Sequence, residues 1–397
     1  MIASGPIFLP KGFKFSAEAA GIKASGKPDL ALIIAEPKTT AAAQFTKNLV
    51  CAAPVQVGRE LLSKNGGRVK AVIVNSGNAN CATGKSGVRD CKTVCAETAR
   101  SLGLRAVEVF PSSTGIIGVP LPAPKIISQL PCLIGNAGAS VDHLRRFSEA
   151  ILTTDTKPKL ASVPLRSGRG CVTGVAKGAG MIHPQMATML VYLLTDVVAS
   201  TAMLKRALRK SCDQSFNTIS IDGDTSTNDT VLLLASGTSG IRYESVGKEF
   251  DRALLEVCRS LAEQIVADGE GVQHMIRLQI EQAKNRAEAL QVARAIAHSL
   301  LVKTAWAGAD PNWGRILAAV GRSGVAVDPR KISVSIGGQT VCKNGAAYAF
   351  DEKSAHQELS QTESRVGVRL GRGKVALDFL TSDLTSEYVR INADYST

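Results

Sequence analysis

The chain has 397 residues, of which 45% are hydrophobic, 4% aromatic and 36 are glycine. That is enough apolar length for two lobes or one large α/β unit, and it excludes a disordered or fibrous class. The formal net charge of +13 comes from dispersed lysines and arginines, as in Leu204-Lys205-Arg206-Ala207-Leu208-Arg209-Lys210. These read as the wet face of a helix rather than as a nucleic-acid stripe, and the excess supplies at most a field that attracts anionic metabolites.

In chain order, Met1-Ile2-Ala3-Ser4-Gly5-Pro6 lacks a basic region followed by an apolar stretch, and no apolar run reaches the roughly 18 residues of a membrane span. The expectation is a cytoplasmic protein with no membrane partner. Residues 71–74 form a short apolar run closed by Asn75-Ser76-Gly77-Asn78, which predicts a buried strand feeding a polar loop. Residues 119–124, with three prolines, read as a connector. Residues 190–194 and 231–235 are two further buried strands. Helical periodicity is clearest over 248–266, where Phe250, Leu254, Val257, Cys258, Leu261 and Ile265 share a side, and 287–302 reads as a second such helix. Residues 332–341 predict a hairpin turning at Gly337-Gly338, and 375–380 a last strand. The mixed order argues α/β or α+β with covered sheets.

Nine cysteines without a CxxC pair predict free, mostly buried thiols, with Cys91 and Cys95 four apart on a helix. No zinc-like ligand spacing, phosphate loop, HExxH, GxSxG elbow or strand-linked GxGxxG occurs, and the five histidines are scattered. What stands out is the segment 177–190, a polar glycine-rich loop that runs into a buried strand with Thr188 at the junction. On spacing alone Thr188 is a β-former opening a strand. Breaking the Ala187–Thr188 bond would change its chemistry. Thr188 would then carry a hydroxyl and a free α-amine of pKa about 8, nucleophile and base on one residue.

The segment 177–190, continuing to Thr195-Asp196, resembles the cleavage signature of the ornithine acetyltransferase family, also called the glutamate N-acetyltransferase family. Four further segments agree: Asn75-Ser76-Gly77-Asn78-Ala79-Asn80; Ser113-Thr114-Gly115-Ile116-Ile117-Gly118; Ser215-Phe216-Asn217-Thr218 with residues 222–229; and Asp310-Pro311-Asn312-Trp313-Gly314-Arg315-Ile316. The likeness runs from Phe45-Thr46-Lys47-Asn48 to the last residue. It implies an α/β fold with two mixed sheets between helices, like other self-processing hydrolases, cut into an α chain of 1–187 and a β chain of 188–397 that assemble as α2β2.

By the same resemblance, Thr188 is the nucleophile and Ala187–Thr188 the cleavage site, with Thr114 and Gly115 forming the oxyanion hole. Thr154, Lys177, Glu270, Asn392 and Thr397 join Thr188 in binding substrate, Lys177 suited to a carboxylate and Glu270 to an amino group. The implied reaction moves acetyl from N2-acetyl-L-ornithine to L-glutamate in arginine biosynthesis, with no metal and no cofactor. Acetyl-CoA stays open as a co-substrate. The alternative is a related self-processing aminopeptidase or amidase, which would pass acyl groups to water. After Gly271 the chain reads Val272-Gln273-His274-Met275, a departure from the Ala-Thr-Lys-like continuation of the family. Trp313 and Arg315 are expected to be structural.

Overall fold

The computed structural model describes residues 5–166, 168, 170–183 and 189–394. Its architecture follows from strands whose two faces are both apolar. Strands Phe13–Glu18, Leu30–Ala35, Ala71–Asn78 and Val109–Ile116 form an N-terminal sheet in that order, antiparallel except for the last pair. A central sheet runs Thr40–Phe45, Thr230–Ala235, Leu190–Thr195, Cys171–Lys177, Lys159–Pro164, with only Leu190–Thr195 and Thr230–Ala235 parallel.

Because side chains alternate across a strand, each of these runs feeds two cores. Ala31, Ile33, Val72 and Val74 face Tyr192, Leu194, Leu232 and Leu234 between the sheets. The opposite faces carry Leu30, Leu32, Ala71 and Ile73 against helices Gly84–Leu102 and Ala123–Gly135. On the central sheet, Val191, Leu193, Val231 and Leu233 meet helices Thr201–Asp213 and Tyr243–Ala267. The result is helix, sheet, sheet, helix, with each buried branched side chain contributing about 1.5–3 kcal/mol. The two mixed sheets between helices that the family resemblance implies are present.

A third, six-stranded mixed sheet goes beyond the sequence expectation. It runs Ala346–Ala347, Gln339–Lys343, Ser333–Ile336, Glu363–Arg369, Met275–Ala283, Val375–Ser382. Its own core holds Ile296, Trp306 and Ile316 from helices Arg286–Ala297, Leu300–Ala307 and Trp313–Gly321.

Several expectations shift. The strand that begins at Ala71 does not end at Val74 but runs through Asn78. Its polar residues are buried and paired, with Asn75 Nδ2 donating to the Asn78 carbonyl at 2.8 Å and Ser76 Oγ to the Ala150 carbonyl at 2.5 Å. The single helix read over 287–302 divides at His298, because Ser299 caps a new helix by accepting from the Val302 amide. The connector gives Ala123 and Pro124 to a helix whose first turn needs no donor from Pro124. The hairpin at Gly337-Gly338 forms, and all nine cysteines are free, seven of them buried. Among the described residues no helix is long and apolar enough to cross a membrane, and no group of His, Cys, Asp or Glu forms a metal-binding cluster.

Candidate active site

The parallel strands Ala71–Asn78 and Val109–Ile116 end side by side, and Thr114 and Gly115 sit at that end. Gly115 has φ +133°, and a Cβ there would lie 2.3 Å from the Gly77 carbonyl carbon. The two backbones can approach this closely only with glycine in place. Asn228 fastens the same strand ends from below, donating to the Ala79 and Ser113 carbonyls at 2.7 and 2.8 Å.

Lys177 closes the strand Cys171–Lys177, and its Nζ is buried 3.2 Å from Thr114 Oγ1. Asp155 Oδ2 stands 3.9 Å from the same Nζ. The Asp155 side chain is fully buried and accepts from Lys159 Nζ at 2.7 Å, from the Gly178 amide at 2.6 Å and from the Thr153 amide at 3.2 Å. Burial by itself would raise the Asp155 carboxyl, but Lys177 and Lys159 hold it at about 2. Burial pushes Lys177 below the ordinary lysine value, with Asp155, Glu270 and Asp229 opposing. Lys159 continues the chain to Asp268 at 2.6 Å, and Asp268 takes the amide and hydroxyl of Thr156.

Glu270 follows Asp268 by two residues and is nearly buried. Its Oε2 accepts from Asn392 Nδ2 at 2.8 Å, and its amide donates to the Ala179 carbonyl. Asn392 comes from the C-terminal helix Ser386–Asp394, which also brings Tyr388. Gly180 makes room for the carboxyl, since a Cβ there would lie 2.4 Å from Glu270 Oε2. Gly271, at φ +67°, does the same for the helix backbone, at 2.4 Å from the Tyr388 nitrogen.

Thr114, Gly115, Thr154, Lys177, Glu270 and Asn392 all line one cavity of about 250 Å³. Ala187, Thr188 and Thr397 lie outside the described residues. The chain on either side of 184–188 is pinned by one stretch. Asp222 accepts from the Met181 and Ile182 amides, and Asp229 Oδ1 accepts from the Met189 amide at 3.1 Å. Burial raises Asp222 to about 6, against the backbone donors that favour its charge, and raises the fully buried Asp229 as well. A cation, a carboxylate, an amide and a hydroxyl around a small cavity suit a zwitterionic amino-acid derivative.

Known proteins resemble the chain along nearly its whole length. The sequence pattern of the ArgJ family matches residues 14–397. The chain belongs to the ArgJ family. The arginine biosynthesis bifunctional protein ArgJ of Thermus thermophilus is 43% identical over 98% of this chain and 99% of its own length. The glutamate N-acetyltransferase of Methanopyrus kandleri is 44% identical over 98% of this chain and 99% of its own. A solved structure of ornithine acetyltransferase complexed with ornithine from Mycobacterium tuberculosis is 37% identical, covering 46% of this chain and 94% of that one at a TM-score of 0.43.

Sequence reasoning assigned no role to Asp155, Asp222, Asp229 or Tyr388, which in this ArgJ-family chain line the cavity or hold its walls. Asp222 and Asp229 stand inside the family-like segment 222–229, Asp155 adjoins Thr154, and Tyr388 carries no signal. The scattered histidines also hide a pair, since His183 Nδ1 and His298 Nε2 are 2.9 Å apart. Trp313 begins a helix and Arg315 Nη1 donates to the Leu301 carbonyl, both away from the cavity.

Proposed function

We propose that this chain is a glutamate N-acetyltransferase of arginine biosynthesis that carries an acetyl group on Thr188 after cutting itself between Ala187 and Thr188. The observation that carries the reading is the convergence of Thr114, Gly115, Thr154, Lys177, Glu270 and Asn392 on one cavity, with the flanks of 184–188 pinned beside it by Asp222 and Asp229. The names of the full-length relatives support the substrate class.

In the first step the Thr188 hydroxyl attacks the Ala187 carbonyl, and water hydrolyses the resulting ester, leaving an Ala187 carboxylate and a Thr188 α-amine. That amine then takes the hydroxyl proton as Thr188 Oγ1 attacks the acetyl carbonyl of N2-acetyl-L-ornithine. The oxyanion is met by the Thr114 hydroxyl and the Gly115 amide, donors worth about 3–4 kcal/mol each. The proton passes to the departing N2, and L-ornithine leaves. L-glutamate attacks the acetyl ester by the reverse path and departs as N-acetyl-L-glutamate. Lys177 faces the substrate carboxylate and Glu270 its free ammonium. The processed chains assemble as an α2β2 cytoplasmic enzyme, and the use of acetyl-CoA as a second donor stays open.

The test is acetyl transfer from N2-acetyl-L-ornithine to L-glutamate, with and without glutamate, for the wild type and Thr188→Ala. Glutamate-dependent turnover that Thr188→Ala abolishes is expected. Equal turnover with glutamate omitted would point to the aminopeptidase or amidase alternative. A parallel arm with acetyl-CoA and glutamate decides the second donor.

A further inference from the structure

Thr114 has one proton and Lys177 has three. A threonine hydroxyl donates once and accepts twice, whereas an ammonium only donates. With Lys177 Nζ 3.2 Å from Thr114 Oγ1, the contact uses a Thr114 lone pair and turns its O–H away from Lys177. Among the described residues, Thr114 Oγ1 donates to no other group, and Thr114 lines the cavity. A neutral Lys177 amine has a lone pair that accepts the Thr114 proton in competition with the oxyanion, so the hydroxyl is no longer forced away from Lys177. The direction of the oxyanion-hole hydroxyl therefore depends on Lys177 being charged.

We propose that Asp155 is a positioning residue that keeps Lys177 an ammonium ion aimed at Thr114, so that Thr114 presents its proton to the developing oxyanion. This rests on the acetyl-transfer reading above. The Asp155 carboxylate is suitably placed, being fully buried, 3.9 Å from Lys177 Nζ, and locked by Lys159, Gly178 and Thr153. Lys159 is in turn fixed by Asp268, two residues before Glu270. The alternating line Lys177, Asp155, Lys159, Asp268 thus ties the Thr153-Thr154 loop, the end of the strand Cys171–Lys177 and the Glu270 loop into one unit. Lys177 is also faced by Glu270, by Asp229 at the start of the strand Thr230–Ala235, and by the positive charges of Lys159 and of Lys23 from the loop after the first strand. The two lysines work against its charge, and Asp155 opposes them first.

Single-turnover release of L-ornithine from N2-acetyl-L-ornithine, followed against pH, isolates the step. Asp155→Asn is expected to slow the maximal rate about 100-fold and, because Lys177 also faces the substrate carboxylate, to raise the half-saturating concentration as well. Its alkaline limb is expected to move down by about one pH unit or more. In a Thr114→Ala background, Asp155→Asn is expected to cost little further, since both remove the same proton donor.

Equal losses in the two backgrounds, or a rise in half-saturation at unchanged rate and pH profile, would overturn the proposal. If Asp155→Asn does not fold or cleave, Asp155→Glu decides: its loss of maximal rate must shrink in the Thr114→Ala background, and an equal loss in both backgrounds is contrary. A wild type that releases no ornithine overturns the acetyl-transfer reading itself.

Discussion

Gly115 and Gly180 both face a neighbour that a methyl group would strike, yet the neighbours differ in kind. At Gly115 the obstacle is the Gly77 backbone at 2.3 Å, and φ is +133°. Gly115→Ala is therefore expected to cost about 2–4 kcal/mol of stability, read from the midpoint of urea unfolding. At Gly180 the obstacle is the movable end of Glu270 at 2.4 Å. Gly180→Ala should leave the unfolding midpoint within about 1 kcal/mol of wild type while raising half-saturation by acetylornithine about tenfold.

The His183–His298 pair makes a different prediction at the same scale. Burial pushes His183 to about 4 and His298 to about 3, against 6.5 for an ordinary histidine. The unfolded chain then binds more protons than the folded one between those values, so this contribution to stability is lost as pH falls from about 6.5 towards 3. Asp222, raised to about 6, acts in the opposite sense. Comparing unfolding against pH for wild type and His298→Gln separates the two, and the variant is expected to lose less stability on acidification.

At the scale of elements, the C-terminal helix Ser386–Asp394 buries none of its residues but delivers Tyr388 and Asn392 to the cavity. Its moorings are polar, with Thr385 Oγ1 donating to the Gly271 carbonyl at 2.7 Å and Asn392 to Glu270. A chain ending at Leu384 should melt within a few degrees of wild type and lose nearly all acetyl transfer. A large fall in melting temperature would mean the helix is structural. This helix is invisible in the sequence as an element, because with no buried stripe it has no periodicity to read. The helix Tyr243–Ala267 is legible for the opposite reason, since its long apolar side packs on the central sheet. The stretch Asn75–Asn78 misleads because polar residues ordinarily signal a loop, and only the tertiary partners at Ala150 and within the turn satisfy them in a strand. Asp155 is illegible by the same logic: a carboxylate reads as solvated until Lys159 and Lys177 are known to surround it.

For the whole molecule, the boundary at 187/188 does not separate two lobes. The strand Cys171–Lys177 on one side pairs residue for residue with Leu190–Thr195 on the other, and both faces of the central sheet draw on residues before and after the proposed cut. Processed chains would remain interlocked in native solution. The alternation of apolar residues announces this layered core, whereas the third sheet shows locally only in its hairpin at Gly337-Gly338 and its last strand, and its assembly depends on pairings such as Met275 with Glu363.

The most direct test is therefore made under denaturing conditions, by mass spectrometry of wild-type protein quenched after exposure to N2-acetyl-L-ornithine without glutamate. The account predicts two chains, 1–187 and 188–397, with a single acetyl group on Thr188 of the second. One uncut chain that still transfers acetyl, or the acetyl group on any other residue, would contradict it.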